Sequence, residues 1–428
     1  MSPIIRSTNH KMTETTHVKK LGPFLLSGLM IGPILGSGII ILPPLVYQVA
    51  GNWALPAWAL IVGLSFFFAV IFGRLSILFP GDAGVARAIE EAFGSRVKKL
   101  TSFYLIGAVL FGPVAVLLTA AKYLRPIYNM PEPLLALPIL LICTVLLLRQ
   151  VTSIGKISFI LSTAIALTLF AGGSDILLFH RQPAAPLPPF SGLQFGYGLL
   201  LLFWTMVGWE VVGNYSGDVR DPETTIPRAV IFSVCIMAAV SLTVAAAVQM
   251  ISPAMVRGAA VTITDLIRPL FGGSSDSIMA ALVAALCITS YLLFTGGVAR
   301  LAASLAKDGY LPAILARKSS TRAPFIAILV FAFFHLAVLT AVYYHITDIE
   351  QLVALADGFF IANALIGILS AIRLLQSRIL RIAARLLALV FSGILLNGGA
   401  VVIAIIVVMA VGFLLQPMGM VSRIRRMR

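Results

Sequence analysis

Gly32-Pro33-Ile34-Leu35-Gly36-Ser37-Gly38-Ile39-Ile40 is the stretch on which the reading of this chain turns. It lies inside an apolar run from Leu21 to Val49, long enough to cross a bilayer once with some tilt. Gly-Pro followed by two glycines around a serine weakens a helix at mid-membrane depth. Hydrocarbon offers freed backbone groups no partner, so a break there survives only where protein or a water-filled cavity receives them. One reading is a kinked helix packed through small residues. The other is a discontinuous helix whose half-helix ends hold a ligand, and it requires a second break in a matching place.

That second break stands roughly 170 residues on, within Leu202-Phe203-Trp204-Thr205-Met206-Val207-Gly208-Trp209-Glu210-Val211-Val212-Gly213-Asn214-Tyr215-Ser216-Gly217. Three glycines, an asparagine and a serine make a continuous helix costly here. Glu210 adds an ionisable group to an apolar run, where such residues face a cavity or a partner rather than lipid.

Composition sets the frame. Of 428 residues 60% are hydrophobic and 11% charged, and the mean hydropathy is +1.03, which no soluble core needs. The sequence predicts an all-α polytopic membrane protein with twelve spans, near 21–49, 54–79, 100–125, 134–149, 157–179, 196–216, 227–251, 277–305, 324–344, 349–372, 380–396 and 399–416. The net charge of +15 does not point to nucleic acid. With these spans, all but five of the 31 Lys and Arg (Lys122, Arg125, Arg181, Arg257, Arg268) fall in alternate connections and the two tails. That asymmetry predicts both termini on the cytoplasmic side of a cell (inner) membrane. The first run is too long for a signal h-region, so no cleaved signal peptide is expected. Cys143, Cys235 and Cys287 sit in apolar runs without metal spacing and are read as packing residues.

The two breaks lie five spans apart. Spans one to five (21–179) and six to ten (196–372) are therefore expected to form repeats of opposite topology. Spans eleven and twelve (380–416) and the tails 1–20 and 417–428 lie outside them. The link from Phe79 to Lys99 patterns as an amphipathic surface helix, and a short helix is expected near Thr264 to Phe271.

The chemistry follows from backbone geometry. Unpaired N–H groups at Gly36-Ser37-Gly38, at the positive end of the following half-helix, suit a carboxylate. Freed carbonyls around Trp204 to Gly208 suit an ammonium group. A site offering both favours an amino acid. No His-Glu-x-x-His, nucleophile elbow, phosphate loop or Cys/His cluster is present, so neither an enzyme, a cofactor nor a metal is expected.

At this point the sequence resembles the amino acid–polyamine–organocation (APC) transporters. The matching pieces are Gly36-Ser37-Gly38-Ile39, Trp204 through Glu210, Asp221-Pro222-Glu223 with Ile226-Pro227-Arg228, and Arg300 with Lys307-Asp308-Gly309-Tyr310-Leu311-Pro312. Within that superfamily it looks most like the bacterial methionine and branched-chain amino acid exporters, through Ala50-Gly51-Asn52, Phe72-Gly73-Arg74, Gly84-Val85-Ala86, Ala92-Phe93-Gly94-Ser95-Arg96 and Asp357-Gly358-Phe359-Phe360-Ile361. The resemblance implies a LeuT-type five-plus-five inverted repeat with helices one and six discontinuous. It implies a secondary transporter of amino acids working by alternating access, with proton-coupled export of hydrophobic amino acids ahead of import or exchange and of a non-transporting sensor.

By the same resemblance, Gly36, Ser37, Gly38 and Ile39 would hold the substrate carboxylate. Carbonyls at Trp204, Val207 and Gly208 would take the amine, and the Trp204 ring would gate the site. Glu210 and Asp357 are the proton-coupling candidates, with Asp357, near the start of span ten, read as solvated or as a helix cap. Some relatives carry a lysine in span five where this chain has Ile165. Sodium is the other coupling ion, through Thr289 and Ser290. His335 and His345 are read as isolated, and nothing in the sequence addresses oligomeric state.

Overall fold

The computed structural model describes residues 22–80, 84–149, 154–183, 186–209, 219, 221–258, 260–319 and 323–415. Both tails and Glu210 lie outside the described residues. Nine helical runs among them are long and apolar enough to cross a membrane.

The first crossing is split. Helix α1 (Pro23–Leu35) ends at a turn over Gly36 and Ser37, and α2 (Gly38–Ala50) resumes with Ser37 as its N-cap residue. Gly51, at φ +53, ends α2 in a conformation that favours glycine. There follow α3 (Ala54–Leu78), the short amphipathic α4 (Gly84–Phe93), α5 (Ser95–Tyr128), α6 (Glu132–Arg149) and α7 (Ile154–Asp175). Helix α4 lies within the link from Phe79 to Lys99, where an amphipathic helix is expected.

The second half opens with α8 (Gly192–Leu202), a helix too short to cross. It tightens into a 3₁₀ turn over Phe203–Met206 and leaves helical geometry at Val207. Gly208 follows at φ +121, which a side chain would resist. Next come α9 (Pro222–Met250), α10 (Ile263–Phe271), α11 (Ser275–Lys307), α12 (Phe325–Tyr343), α13 (Ile349–Leu374), α14 (Arg378–Leu395) and α15 (Gly399–Leu415). Helix α10 is the short helix expected near Thr264. It starts at a capping box in which Thr262 and Asp265 satisfy each other's ends of the turn.

Helix α5 is the central strut, packed against α11 on one side and α13 on the other. The split helices α1 and α2 lean on α9 and α8, and both touch the 3₁₀ turn at Phe203–Met206. Glycines permit the close approaches in lipid, where small residues replace the hydrophobic effect as the means of bringing helices together. A β-carbon on Gly107 would come within 2.9 Å of the Phe359 ring of α13. The outer surface is apolar: Phe333, Leu389 and Val408 are at least 70% exposed, as lipid-facing positions are.

Candidate functional site

Both expected breaks exist, and they meet. A β-carbon on Gly38 would lie 3.1 Å from Cδ1 of the Trp204 indole. The far edge of the same ring lies against α5, where a β-carbon on Gly112 would stand 3.0 Å from Cη2. Phe360 of α13 and Phe294 of α11 complete the surroundings, with ring centroids 6.2 and 6.4 Å from that of Trp204. Trp204 is thus a buried plate held edge-on between two bare stretches of backbone.

The first turn of α2 carries amide groups that precede the earliest intrahelical bonds, which run from Ile40 and Ile41 to the Ser37 carbonyl. Farther along, Pro43 and Pro44 remove the donors that the Ile39 and Ile40 carbonyls would meet in an intact helix. Ser37 and Ile39 are each 2% exposed. On the other side, the Trp204 carbonyl accepts from Val207 N–H at 3.2 Å and the Met206 carbonyl from Trp209 N–H at 3.5 Å. These turn bonds occupy part of the acceptor set that the sequence assigned to an amine, and each oxygen keeps a second lone pair.

A cavity of about 290 Å³ rises from the end of the bundle that carries α4. Its walls are Phe68, Phe72, Val85, Ala86, Ile89, Leu105, Phe203, Met206, Val207, Phe360 and Ala364, with Thr101 and Asn363 the polar side chains. Of the residues expected from sequence, Val207 lines it directly. Gly36, Ser37, Gly38 and Ile39 lie beyond Trp204, buried and off the cavity wall. Toward the opposite end, the space between Ile40, Pro44, Gln48, Lys122, Tyr123 and Thr262 is about 40 Å³. Phe68, Phe72, Phe203 and Phe360 were not legible as site residues, because apolar side chains occur throughout a membrane chain.

Asp357 departs from its reading as a solvated or capping residue. The cap of α13 is Asp348, whose carboxylate accepts from Gln351 N–H at 2.8 Å. Starting the helix there carries Asp357 more than two turns inward, where it is fully buried and no side chain among the described residues pairs with either carboxyl oxygen. The backbone of Trp204 is the peptide group that faces it. Thr289 donates to the Leu286 carbonyl of its own helix at 2.8 Å. His335, read as isolated, is fully buried and bonded through both ring nitrogens.

Comparison with known proteins agrees with this architecture. Over 366 residues the chain is 27% identical to the L-methionine/branched-chain amino acid exporter YjeH of Escherichia coli K12, covering 82% of this chain and 85% of that one. It is 26% identical over 361 residues to the lysine-specific permease LysP of Lactococcus lactis, covering 76% and 70%. It is 23% identical over 322 residues to the cadaverine/lysine antiporter of Escherichia coli K12, covering 72% and 71%. In fold it is similar to the manganese transporter of Eremococcus coleocola, with a TM-score of 0.62 at 14% identity over 94% of this chain and 96% of that one. The fold is the LeuT-type inverted repeat with its first and sixth helices interrupted. The amino acid permease family matches residues 21–423, so this chain belongs to that family, within the APC superfamily, and is a membrane transporter rather than an enzyme.

Proposed function

We propose that the chain carries hydrophobic amino acids such as methionine or the branched-chain amino acids out of the cell by alternating access, with protons as the coupling ion. The observation that carries the substrate class is the cavity wall. Four phenylalanines, Met206 and Val207 surround the approach, and among the described residues that line it none is acidic or basic. A lysine or diamine side chain entering there would leave its charge unpaired in a low-dielectric space. A thioether or branched aliphatic side chain meets polarizable and apolar surface. The volume falls at the lower end of small-molecule sites. The name borne by the Escherichia coli exporter supports the same choice over that borne by the lysine permease.

In this reading the substrate carboxylate reaches the amides of Ser37 and Gly38 and its ammonium group the carbonyls around Trp204 and Val207. Trp204 must shift before the ligand touches Gly36 to Ile39. The cavity, on the side assigned to the cytoplasm, loads an exporter. Asp357 supplies the proton site, since a buried carboxyl with no side-chain partner among the described residues is the type of group through which protons are relayed in a carrier. Glu210 is the second group proposed for that role. The Tyr104 hydroxyl of α5, nearby through the Tyr104–Phe359 ring contact, is committed to the Ile406 carbonyl at 3.0 Å.

The test is counterflow in proteoliposomes loaded with unlabelled methionine. Saturable uptake of labelled methionine, competed by leucine and not by lysine, is expected. Binding of methionine without any flux would overturn the transport reading in favour of a sensor. Efficient competition by lysine would overturn the substrate class.

A further inference from the structure

Three helices meet at His335. Its Nε2 lies 2.8 Å from the Val109 carbonyl of α5, and its Nδ1 lies 2.7 Å from the Tyr291 hydroxyl of α11. A carbonyl only accepts, so the proton on the ring sits at Nε2, and the Tyr291 hydroxyl donates to Nδ1. The Val109 carbonyl is available for a reason written in the sequence. Four residues on stands Pro113, which lacks the N–H that an uninterrupted helix would supply. A bare peptide carbonyl in the membrane interior is costly, and the histidine answers it from another helix.

The position of this bond gives it a consequence. Gly112, the residue whose backbone lies against the far edge of Trp204, is next to Pro113 and one turn of helix from Val109. Helix α12, which brings His335, is apolar almost throughout, with Phe333 75% exposed and Leu329 and Leu336 also facing outward. Lipid gives such a helix no hydrophobic reason to stay seated, so packing and hydrogen bonds between helices are what hold it.

We propose that His335 is a positioning residue for transport: its Nε2–H fills the acceptor freed by Pro113, and this holds the Gly112 stretch of α5 as the fixed wall on which Trp204 rests. The part that concerns transport rests on the reading of Trp204 as the gate, and the part that concerns the bond does not.

The test pairs His335→Leu with Pro113→Ala. Alanine at position 113 returns a backbone N–H to the Val109 carbonyl and makes the histidine redundant. In the natural background, His335→Leu is expected to lower the melting temperature of the purified protein, because a buried acceptor is left unsatisfied, and to raise the apparent KM for methionine counterflow about tenfold. In the Pro113→Ala background the same change is expected to raise KM less than threefold and to cost less than half as much in melting temperature. Equal losses in both backgrounds would overturn the proposal. A melting-temperature coupling with no change in KM would overturn the positioning role and leave only the bond. Should His335→Leu fail to insert, His335→Gln decides: its amide can donate to Val109 and accept from Tyr291, so near-natural KM is expected, and a KM raised about tenfold in that variant would sink the idea. Lack of methionine counterflow in the natural protein would count against the substrate reading alone, because the melting temperatures still decide the bond.

Discussion

The α-carbon of Gly38 and the indole of Trp204 approach so closely that a single added methyl group would stand 3.1 Å from Cδ1 of the ring. The two residues belong to the two interrupted helices, so this contact joins the two breaks.

A side chain on Gly38 should therefore press on the Trp204 ring and displace it. Gly38→Ala is expected to lower methionine transport by at least about tenfold, the scale at which a displaced site group loses efficiency. Gly38→Leu should abolish transport with the protein still inserted. Normal counterflow in the leucine variant would remove this contact from the site.

Asp357→Asn should separate transport from its driving force. Counterflow, which needs no net proton movement, is expected to persist, while the response to an imposed pH gradient disappears. Glu210→Gln, measured alongside, reports whether the second acidic group shares that role. A gradient response that survives in Asp357→Asn would return the residue to a packing function.

Asn363 is the polar side chain in the cavity nearest in sequence to Phe360. Asn363→Asp places an anion opposite an incoming side chain, where it would pair a cation and repel none. Methionine transport should fall by about tenfold or more, and lysine should become a competitor. Unchanged competition profiles would show that the side chain of the substrate is read elsewhere.

Two ion pairs should differ sharply in worth. Asp265 is 2% exposed, accepts from both the backbone and the hydroxyl of Thr262, and also pairs with Arg268 at 3.2 Å. Asp265→Ala is expected to cost about 1–3 kcal/mol, seen as a lower thermal midpoint in detergent. Arg74 and Glu223 pair at the same distance with side chains 48% and 73% exposed. Glu223→Gln is expected to cost less than about 1 kcal/mol. The reverse order would refute the burial argument.

The helix interruptions were legible because glycine, serine and proline announce them locally. Gly36, Ser37 and Gly208 all fall where the backbone leaves regular helix. The burial of Asp357 was not legible. It depends on which of two aspartates, nine positions apart, opens α13, and both are plausible caps by residue type. His335 was missed for a different reason. Pro113 signals a freed carbonyl at Val109, but the donor comes from 226 residues away, and only the packing of α12 against α5 brings them together. The aromatic walls of the cavity carry no local signature at all. Apolar residues facing a void and apolar residues facing lipid are written with the same letters.

Cys143 and Cys287 are buried, and Cys235 is exposed on α9, a membrane-crossing helix whose outer face meets lipid. A water-borne thiol reagent thus finds little natural background to react with. One cysteine introduced at Ala86, on the cavity wall, turns the molecule into its own shutter timer: alkylation proceeds while the passage below Trp204 stands open and stalls whenever the carrier faces the other way.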